Sequence, residues 1–305
     1  MIHIVINPKS GSGLKRRTLA ELRAALRVRG EEVVEYRTTC PGDATGYAAG
    51  LRDQPTVVVA WGGDGTVREL ASGLVGSGVP LLVCPVGTEN LLAKELRMPG
   101  NPRQLAEIVA AGRTVECDLA RVNGQDFMLI MGIGFDGEVV RRLAIIRRGH
   151  ITHLSYFWPV WRTFWEHDFP RVRVVADGRE VFDDYGMAFV GNISRYAVGL
   201  RICRDARYDD GLLDLVVFSC HQQTALVLHA AWTLLRMHPL KGNVLYRQIR
   251  QARIETDPPV PTQTDGDLGP NTPVDISLHS GRIRLLVPAA RVGLGLWPWR
   301  GESLL

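Results

Sequence analysis

The first hundred residues alternate short apolar runs with helical patterns, and this alternation constrains the fold more than any other feature. Ile2–Ile6 and Pro55–Trp61 are apolar runs of strand length. Between them, Leu19, Leu22 and Leu26 recur at helical spacing. Repeated strand–helix units of this length predict a parallel sheet covered by helices on both faces. The sequence therefore predicts an α/β, Rossmann-like nucleotide-binding domain at the start of the chain.

From about Val115 onward, strand signals replace the strand–helix alternation. Asn123-Gly124 between two extended runs is typical of a tight hairpin. A helical segment, Gln222–Met237, interrupts the strands. Many short strands joined by turns predict a mainly antiparallel β-sandwich as the second part of the chain.

The length of 305 residues favours two domains over a single core. We expect an α/β domain over residues 1–118 and a β-sandwich over residues 119–288, which includes a strand at Arg282–Val287. The pattern of residues 289–305 is ambiguous, and packing back on the first domain is one arrangement open to that segment.

The overall composition is that of an ordinary globular protein, with 46% hydrophobic residues and a net charge of +4. That charge is too small to indicate a nucleic acid partner. The five cysteines include no C-x-x-C pair, which favours reduced thiols in the cytoplasm. The N-terminus lacks a signal-peptide pattern. The longest apolar helical stretch, Thr224–Leu235, is shorter than the about 20 residues that span a bilayer. We expect a cytoplasmic protein.

The segment WGGDGTVREL places the glycine-rich turn GGDGT, residues 62–66, between a strand and a helix. Such a turn lets successive backbone N–H groups converge on an anion, and a helix beginning near Thr66 adds unsatisfied amides. Asp64 would repel a bare phosphate by about 4 kcal/mol at about 4 Å. Mg²⁺ reverses that sign, because it prefers carboxylate and phosphate oxygens. The turn therefore predicts a metal–nucleotide site, and a simple β–α turn capped by Asp64 is the alternative.

Two further loops follow strands of the same predicted sheet. Asn7-Pro8-Lys9-Ser10-Gly11 follows the first strand and combines flexible backbone, a hydroxyl and a cation. The segment PVGTEN follows the fourth strand and places Thr88 and Asn90 at a helix start. Helix capping is the favoured interpretation of either loop taken alone. Since ligands bind beyond the carboxyl ends of parallel strands, three such loops at one edge indicate a phosphate site.

The motifs NPKSG, GGDGT and P-x-G-T-x-N, in this order and spacing, resemble the catalytic domain of the diacylglycerol kinase family. That family includes bacterial lipid kinases and the sphingosine and ceramide kinases. The resemblance continues through Gly132–Asp136, Asp210–Leu212 and Asp265–Asp267. It implies ATP- and Mg²⁺-dependent transfer of the γ-phosphate to a lipid hydroxyl, most naturally of a diacylglycerol-like lipid, in the cleft between the two domains.

The same resemblance assigns roles to individual residues. Asp267 matches the acidic residue taken as general base, and Asp64 is expected to organise the metal. Asp210 and the backbone carbonyls of Arg207 and Leu212 match a Mg²⁺ site in the second domain. The implied ATP-binding residues are Asn7, Pro8, Lys9, Ser10, Gly11, Thr38, Gly62, Gly63, Asp64, Gly65, Thr66, Val67, Arg68 and Thr88.

Two positions depart from the family pattern. Leu91 stands where G-T-x-N is usually followed by aspartate, and Asp267 stands where the base is usually glutamate. A nucleotide- or lipid-binding member that has lost turnover is therefore one alternative. An NAD kinase, which shares GGDGT, is another, although NPKSG and the Asp-Gly-Asp segment argue against it. The family also leaves a homodimer open.

The aromatic segment YFWPVWRTFW, residues 156–165, follows an arginine-rich stretch at 141–148. Aromatic rings beside arginines suit a membrane interface, where cations meet anionic lipid. This pattern predicts a lipid entrance at Trp158, Trp161 and Trp165, with peripheral contact at the inner face of the membrane. A core helix or a dimer contact is the alternative, since aromatic clusters usually pack inward.

Overall fold

The computed structural model describes residues 1–10, 14–54, 56–146 and 153–289. Two predictions fall outside the described residues: the role of Gly11 in nucleotide binding and the packing of segment 290–305. Among the described residues, no helix has both the length and the apolar character needed to cross a membrane.

The first domain contains the predicted alternation of strands and helices. Its strands form a six-stranded sheet that is parallel except at one edge. Strand β1 is buried at every position, as expected for a central parallel strand covered on both faces. The elements in chain order are β1 (Ile2–Ile6), α1 (Leu14–Val28), β2 (Val33–Arg37), α2 (Asp43–Ala49), β3 (Val57–Trp61), α3 (Asp64–Leu74), β4 (Leu81–Val83), α4 (Leu91–Glu95), α5 (Pro102–Ala111) and β5 (Thr114–Cys117).

The second domain is built around an antiparallel sheet of eleven strands. Asn123 and Gly124, both with positive φ, form the predicted turn between its first two strands. The elements are β6 (Ala120–Val122), β7 (Gln125–Phe127), β8 (Ile130–Ile133), α6 (Phe135–Ile146), α7 (His153–Glu166), β9 (Arg171–Ala176), β10 (Arg179–Gly191), β11 (Leu213–Ser219), α8 (Gln223–Leu234), β12 (Val244–Ile249), β13 (Gln251–Asp257), β14 (Pro261–Thr264), β15 (Asp267–Asn271) and β16 (Val274–Leu278).

The long strand β10 connects the two layers of this sandwich. Its first part, from Arg179 to Tyr185, pairs with β9, and its second part, from Gly186 to Gly191, pairs with β8 and β11. Apolar side chains from both layers meet in one buried cluster that includes Phe127 and Val190. The predicted fold class, a Rossmann-like α/β domain followed by an antiparallel sandwich, is confirmed.

The last strand, β17 (Ile283–Leu286), lies in the first sheet. The prediction that Arg282–Val287 belongs to the sandwich is therefore wrong. Strand β17 lies between β4, which it meets in parallel, and β5, which it meets in antiparallel fashion. Ile283 and Leu285 are buried in the first core. An alternating apolar pattern predicts a strand, but it carries no information on which sheet the strand completes.

Candidate functional site

The loops after β1 and β3 are joined by side-chain hydrogen bonds at the carboxyl edge of the first sheet. The Asn7 Nδ2 donates to the Thr66 Oγ1 over 3.1 Å. The Ser10 Oγ accepts from the Gly63 amide over 3.3 Å. Asn7 also accepts from the Lys9 amide, which shapes the first loop. The first two predicted phosphate loops therefore form one structure.

The loop after β4 packs closely on the GGDGT turn. A Cβ placed on Gly87 would lie 2.7 Å from the Gly63 Cα, so neither loop could keep its position if Gly87 carried a side chain. Asn90 holds this loop, because its side chain accepts from the Gly87 amide and donates to the Gly87 carbonyl. The structure thus brings all three predicted loops together. The GGDGT turn and the loop after β4 meet through backbone atoms rather than bulky side chains.

Helix α3 begins at Asp64 rather than near Thr66, and its N-cap residue is Gly63. Its first amides lack intrahelical acceptors and, with the helix dipole, favour an anion at this end. The side chain of Val67 is buried in the core. Any contribution of Val67 to nucleotide binding therefore comes from its backbone.

The Asp64 carboxylate caps the neighbouring helix α4. Its two oxygens accept from the amides of Leu91, at 3.1 Å, and Leu92, at 3.4 Å. Burial raises the pKa of Asp64, and the two amide bonds act in the opposite direction. Asp64 therefore connects the start of α3 to the start of α4, a contact that the sequence analysis did not foresee.

Asp267 reaches the same edge from the second domain. It is the first residue of β15, and its carboxylate lies 3.7 Å from the position of a Cβ on Gly65. The Arg68 Nη2 donates to the Asp267 Oδ2 over 3.0 Å, and the Arg68 Nη1 donates to the Thr264 carbonyl over 3.2 Å. The proposed base therefore faces the first turn of α3, and 46% of its side chain is exposed.

The turn that carries Asp267 is fixed by a second carboxylate. The side chain of Asp265 accepts from three consecutive amides, those of Met128 and Leu129 at 2.8 Å and that of Ile130 at 3.2 Å. Asp265 has a φ of 53°, and the following Gly266 a φ of 85°, which allows the tight β14–β15 turn. This anchoring determines where Asp267 points.

The remaining predicted ATP-binding residues lie at the margin of the three loops. Thr38 follows β2, and its amide donates to the Ile6 carbonyl over 2.9 Å. Thr88, Pro8 and Lys9 are exposed. These four residues lie at the same carboxyl edge of the first sheet as the three loops.

The predicted metal residues lie in the loop that leads into β11. The Asp210 Oδ1 accepts from the Leu212 amide at 3.1 Å, and the Gln248 Nε2 donates to the other oxygen. Burial, followed by the nearby charge of Asp118, raises the pKa of Asp210. Within the described ranges, no cluster of three or more His, Cys, Asp or Glu side chains suits a metal. A cation at Asp210 would therefore depend on the backbone carbonyls of Arg207 and Leu212.

Asp118 organises this loop and was missed at the sequence level. Its Oδ2 accepts from the Gly211 amide at 2.7 Å, and its Oδ1 forms an ion pair with Arg282 at 2.7 Å. A single aspartate after a short strand gives no local signal of such contacts. The role of Asp118 depends on residues about 90 and 160 positions away in the chain.

The tryptophans of α7 lie at the surface. The side chains of Trp158, Trp161 and Trp165 are 59%, 49% and 61% exposed, so the core alternative does not hold for them. A groove of about 260 Å³ runs between α6 and α7, and its lining includes Trp158 and Arg142. Helix α6 packs on β14 and β15, the hairpin that carries Asp267. The groove and the proposed base therefore belong to adjoining elements.

A buried carboxylate lies at the start of α6. Asp136 hydrogen-bonds to the Tyr196 hydroxyl, and burial raises its pKa to about 6. Its Oδ2 has no hydrogen-bond partner among the described residues. Asp136 belongs to the G-x-G-F-D motif, whose Gly134 has a φ of 93°. The motif forms a strand–turn–helix junction between β8 and α6.

A parallel-sheet domain therefore presents glycine-walled loops to a carboxylate of a β-sandwich domain. Residues 1–122 match the diacylglycerol kinase catalytic domain, and residues 130–287 match the YegS C-terminal NAD kinase beta sandwich-like domain. The two matches cover both halves of the structure.

Relatives and solved structures agree with these matches over nearly the whole chain. A diacylglycerol kinase of Mycobacterium tuberculosis (strain CDC 1551 / Oshkosh) is 31% identical, and the alignment covers 92% of this chain and 93% of that protein. A diacylglycerol kinase of Bacillus subtilis (strain 168) is 26% identical, with coverages of 93% and 95%. The crystal structure of a diacylglycerol kinase from Bacillus anthracis str. Sterne has the same fold, with a TM-score of 0.72, 23% identity and coverages of 95% and 97%. The chain belongs to the diacylglycerol kinase family of lipid kinases.

Proposed function

We propose that this protein transfers the γ-phosphate of ATP to the hydroxyl of a diacylglycerol-like lipid in a Mg²⁺-dependent reaction. The observation that carries the proposal is the position of Asp267, which faces the first turn of α3 and is held there by Arg68. The names of relatives that align over nearly their full length support the same substrate class.

The nucleotide phosphates bind the edge formed by the three loops. The amides of residues 62–66 and the N-terminus of α3 supply hydrogen-bond donors and a positive dipole end. Lys9 and Arg68 add positive charge beside them. Because Gly63 and Gly87 leave the backbone bare, the phosphates approach the amides closely.

Asp267 accepts the proton of the lipid hydroxyl as that oxygen bonds to the γ-phosphorus, while the bond from the γ-phosphorus to the β,γ-bridging oxygen breaks and ADP leaves with that oxygen. Arg68 keeps the carboxylate directed at the cleft through two contacts, one with Asp267 itself and one with the Thr264 carbonyl. Phosphoryl transfer depends mostly on positioning and on neutralising charge, and a positioned carboxylate contributes the proton transfer.

The residues present fit Mg²⁺ by the chemistry of their donors. Asp210 offers a carboxylate, and Arg207 and Leu212 offer carbonyl oxygens, which are ligands that Mg²⁺ prefers. Each Asp64 oxygen accepts one amide and keeps a second lone pair for a cation or its water. A bound Mg²⁺ supplies charge neutralisation for the phosphate oxygens.

The lipid enters beside α6 and α7. The exposed tryptophans of α7 suit the depth of lipid headgroups, and Arg141 and Arg142 line the adjacent groove. This arrangement supports peripheral binding at the inner face of the membrane by a cytoplasmic enzyme. Because phosphorylation of a diacylglycerol-like lipid produces a phospholipid, the proposed reaction contributes to phospholipid biosynthesis.

A radiolabelled-ATP assay tests the proposed function. The purified protein is incubated with Mg²⁺, labelled ATP and either diacylglycerol or a mixed lipid extract, and the organic phase is separated. We expect a labelled phospholipid that disappears when lipid is omitted or when Mg²⁺ is chelated. ATP binding without lipid-dependent ADP release would select the impaired-member alternative, and label transferred to NAD would select an NAD kinase.

A further inference from the structure

Helix α8 presents an apolar face to solvent. Its buried side chains include the polar His229 and Thr233, whereas Leu228 and Leu235 are 59% and 61% exposed. Residues spaced by one, four, seven and eight positions share one side of a helix. The exposed side, which we call the α8 apolar face, consists of Val227, Leu228, Ala231, Leu234 and Leu235.

The orientation of α8 is fixed by its polar side. The His229 Nε2 hydrogen-bonds to the Ser219 carbonyl over 2.9 Å, and the His229 ring packs on Phe218 with 4.9 Å between centroids. Rotating the helix to bury its leucines would break this contact and leave the Ser219 carbonyl without this partner. The contacts of His229 therefore keep the α8 apolar face exposed to solvent.

A group of arginines lies beyond the C-terminal end of α8. Arg201 is half-buried, and its Nη1 donates to the Ser194 hydroxyl over 3.4 Å, directly before Arg195. Burial lowers the pKa of Arg201, as do the charges of Arg195 and Arg236, whereas the charge of Glu95 raises it. Glu95 pairs with Arg195 at 3.2 Å and offsets only part of the positive charge of the three arginines. This arginine cluster, Arg195, Arg201 and Arg236, therefore holds excess positive charge beside the α8 apolar face.

The other end of α8 adjoins α7. The Gln223 Nε2, in the first turn of α8, donates to the His167 carbonyl over 3.3 Å, directly after the last residue of α7. The exposed tryptophans and the α8 apolar face are therefore carried by neighbouring helices on the second domain. Helix α8 contains no charged side chain along its length.

We propose that the α8 apolar face and the arginine cluster dock this protein on an anionic phospholipid bilayer. The leucines enter the boundary between headgroups and acyl chains, and the arginines meet lipid phosphates. The excess of positive charge complements the phosphates of an anionic bilayer surface. The choice of a bilayer rests on the proposed lipid substrate.

Vesicle flotation of the full-length protein tests this surface directly. The vesicles contain phosphatidylcholine either alone or mixed with phosphatidylglycerol. One variant carries Leu228→Ser and Leu235→Ser, and a second carries Arg201→Gln and Arg236→Gln. Control variants change an exposed apolar side chain on the first domain, Val28→Ser, or an exposed arginine there, Arg103→Gln.

We expect the double serine variant to bind mixed vesicles at least about tenfold more weakly. The affinity of the double glutamine variant should fall about fivefold for each arginine replaced, and only on the mixed vesicles. The control variants should bind both kinds of vesicle like the wild type. Because flotation requires no turnover, this result is independent of whether the proposed kinase activity is found.

Two results would overturn the docking surface. One is binding of the double serine variant to mixed vesicles with unchanged affinity. The other is a shift of that variant from dimer to monomer in analytical ultracentrifugation without loss of vesicle binding, which would assign the face to a second copy of this chain. Circular dichroism of each variant confirms that α8 still folds.

Discussion

The Arg68 guanidinium joins α3 of the first domain to the Asp267 carboxylate of the second domain over 3.0 Å. A second contact, from Arg68 to the Thr264 carbonyl, fixes the plane of the guanidinium. Arg68 is only 20% exposed, so the pair is partly shielded from water. The Arg68 side chain therefore joins the two halves of the candidate site.

Replacing Asp267 by asparagine should abolish the proposed proton transfer and keep the shape of the site. We expect the Asp267→Asn variant to lose about 10²–10⁴-fold in kcat, the usual contribution of a positioned general base. ATP affinity should change little, because the β14–β15 turn is held by Asp265. The measurement is lipid-dependent ADP release, with ATP binding followed by calorimetry.

Asp267→Glu is the matched control, since glutamate is usual at this position in the family and retains the carboxylate. It should keep substantial activity. Near-normal turnover of the asparagine variant would remove Asp267 from the reaction and would leave it as a partner of Arg68 alone.

Asp64 combines a structural contact with a proposed metal role, and two variants separate them. Asp64→Ala removes both amide contacts with α4 and should cost about 1 kcal/mol of stability, as for a lost helix cap. Asp64→Asn retains an oxygen acceptor and should unfold closer to the wild-type temperature. Both variants should lose activity if the carboxylate organises Mg²⁺, and thermal unfolding with an Mg²⁺ titration distinguishes the effects. Activity in the Asp64→Asn variant would show that Asp64 acts only as the cap of α4 and does not organise Mg²⁺.

The sequence predicted the parts of this site that depend on local signals. Apolar runs such as Ile2–Ile6 became buried strands, and the glycine-rich loops after them met at one edge because parallel strands end there. The same reasoning placed Asn123 and Gly124 in a hairpin turn. In each case the physical cause lies within a few residues of the signal.

The features that the sequence did not predict depend on distant partners. The Asp64 carboxylate caps a helix that begins at Leu91, and Asp118 holds Gly211. Strand β17 completes the first sheet because Leu285 pairs there with Leu81. The outward face of α8 was equally unforeseen, since an apolar helix is expected to bury its leucines. These features are determined by tertiary contacts between residues far apart in the chain, which local residue patterns do not predict.

The close approach of two loops predicts opposite outcomes for two glycine substitutions. In Gly87→Ala the new Cβ would lie 2.7 Å from the Gly63 Cα, which forces the loops apart. In Gly63→Ala the new Cβ would lie 3.8 Å from the Gly87 Cα, an ordinary contact. We expect Gly87→Ala to lower both stability and ATP affinity. Gly63→Ala should fold normally yet bind ATP more weakly, because its methyl group occupies the phosphate edge.

Thermal unfolding and ATP calorimetry of both variants test this pair. Wild-type affinity in Gly63→Ala would show that the phosphates do not approach this turn. Wild-type stability in Gly87→Ala would show that the loops have room to separate.

The buried Asp214 of the sandwich should make stability depend on pH. Its Oδ1 accepts from the Tyr246 hydroxyl over 2.7 Å, and its Oδ2 has no hydrogen-bond partner among the described residues. Burial raises its pKa from 3.8 to about 6. Since the folded state holds this proton more tightly than the unfolded state, the contribution of Asp214 to the free energy of unfolding should fall as the pH rises from 3.8 to about 6. That loss amounts to about 3 kcal/mol at most.

Asp214→Asn removes the charge and keeps an acceptor for the Tyr246 hydroxyl. We expect the variant to match the wild type at the low end of this range and to be the more stable protein above it, by up to about 3 kcal/mol. Urea unfolding at several pH values gives the difference in the free energy of unfolding between the two proteins. The pKa values of Asp136 and Asp265 are similarly raised in both proteins, so their effects on stability cancel in this difference. The exposed Asp53→Asn is the control for replacing a surface carboxylate. A difference that stays constant across this range would mean that Asp214 has the same pKa in the folded and unfolded states, which its burial beside Tyr246 argues against.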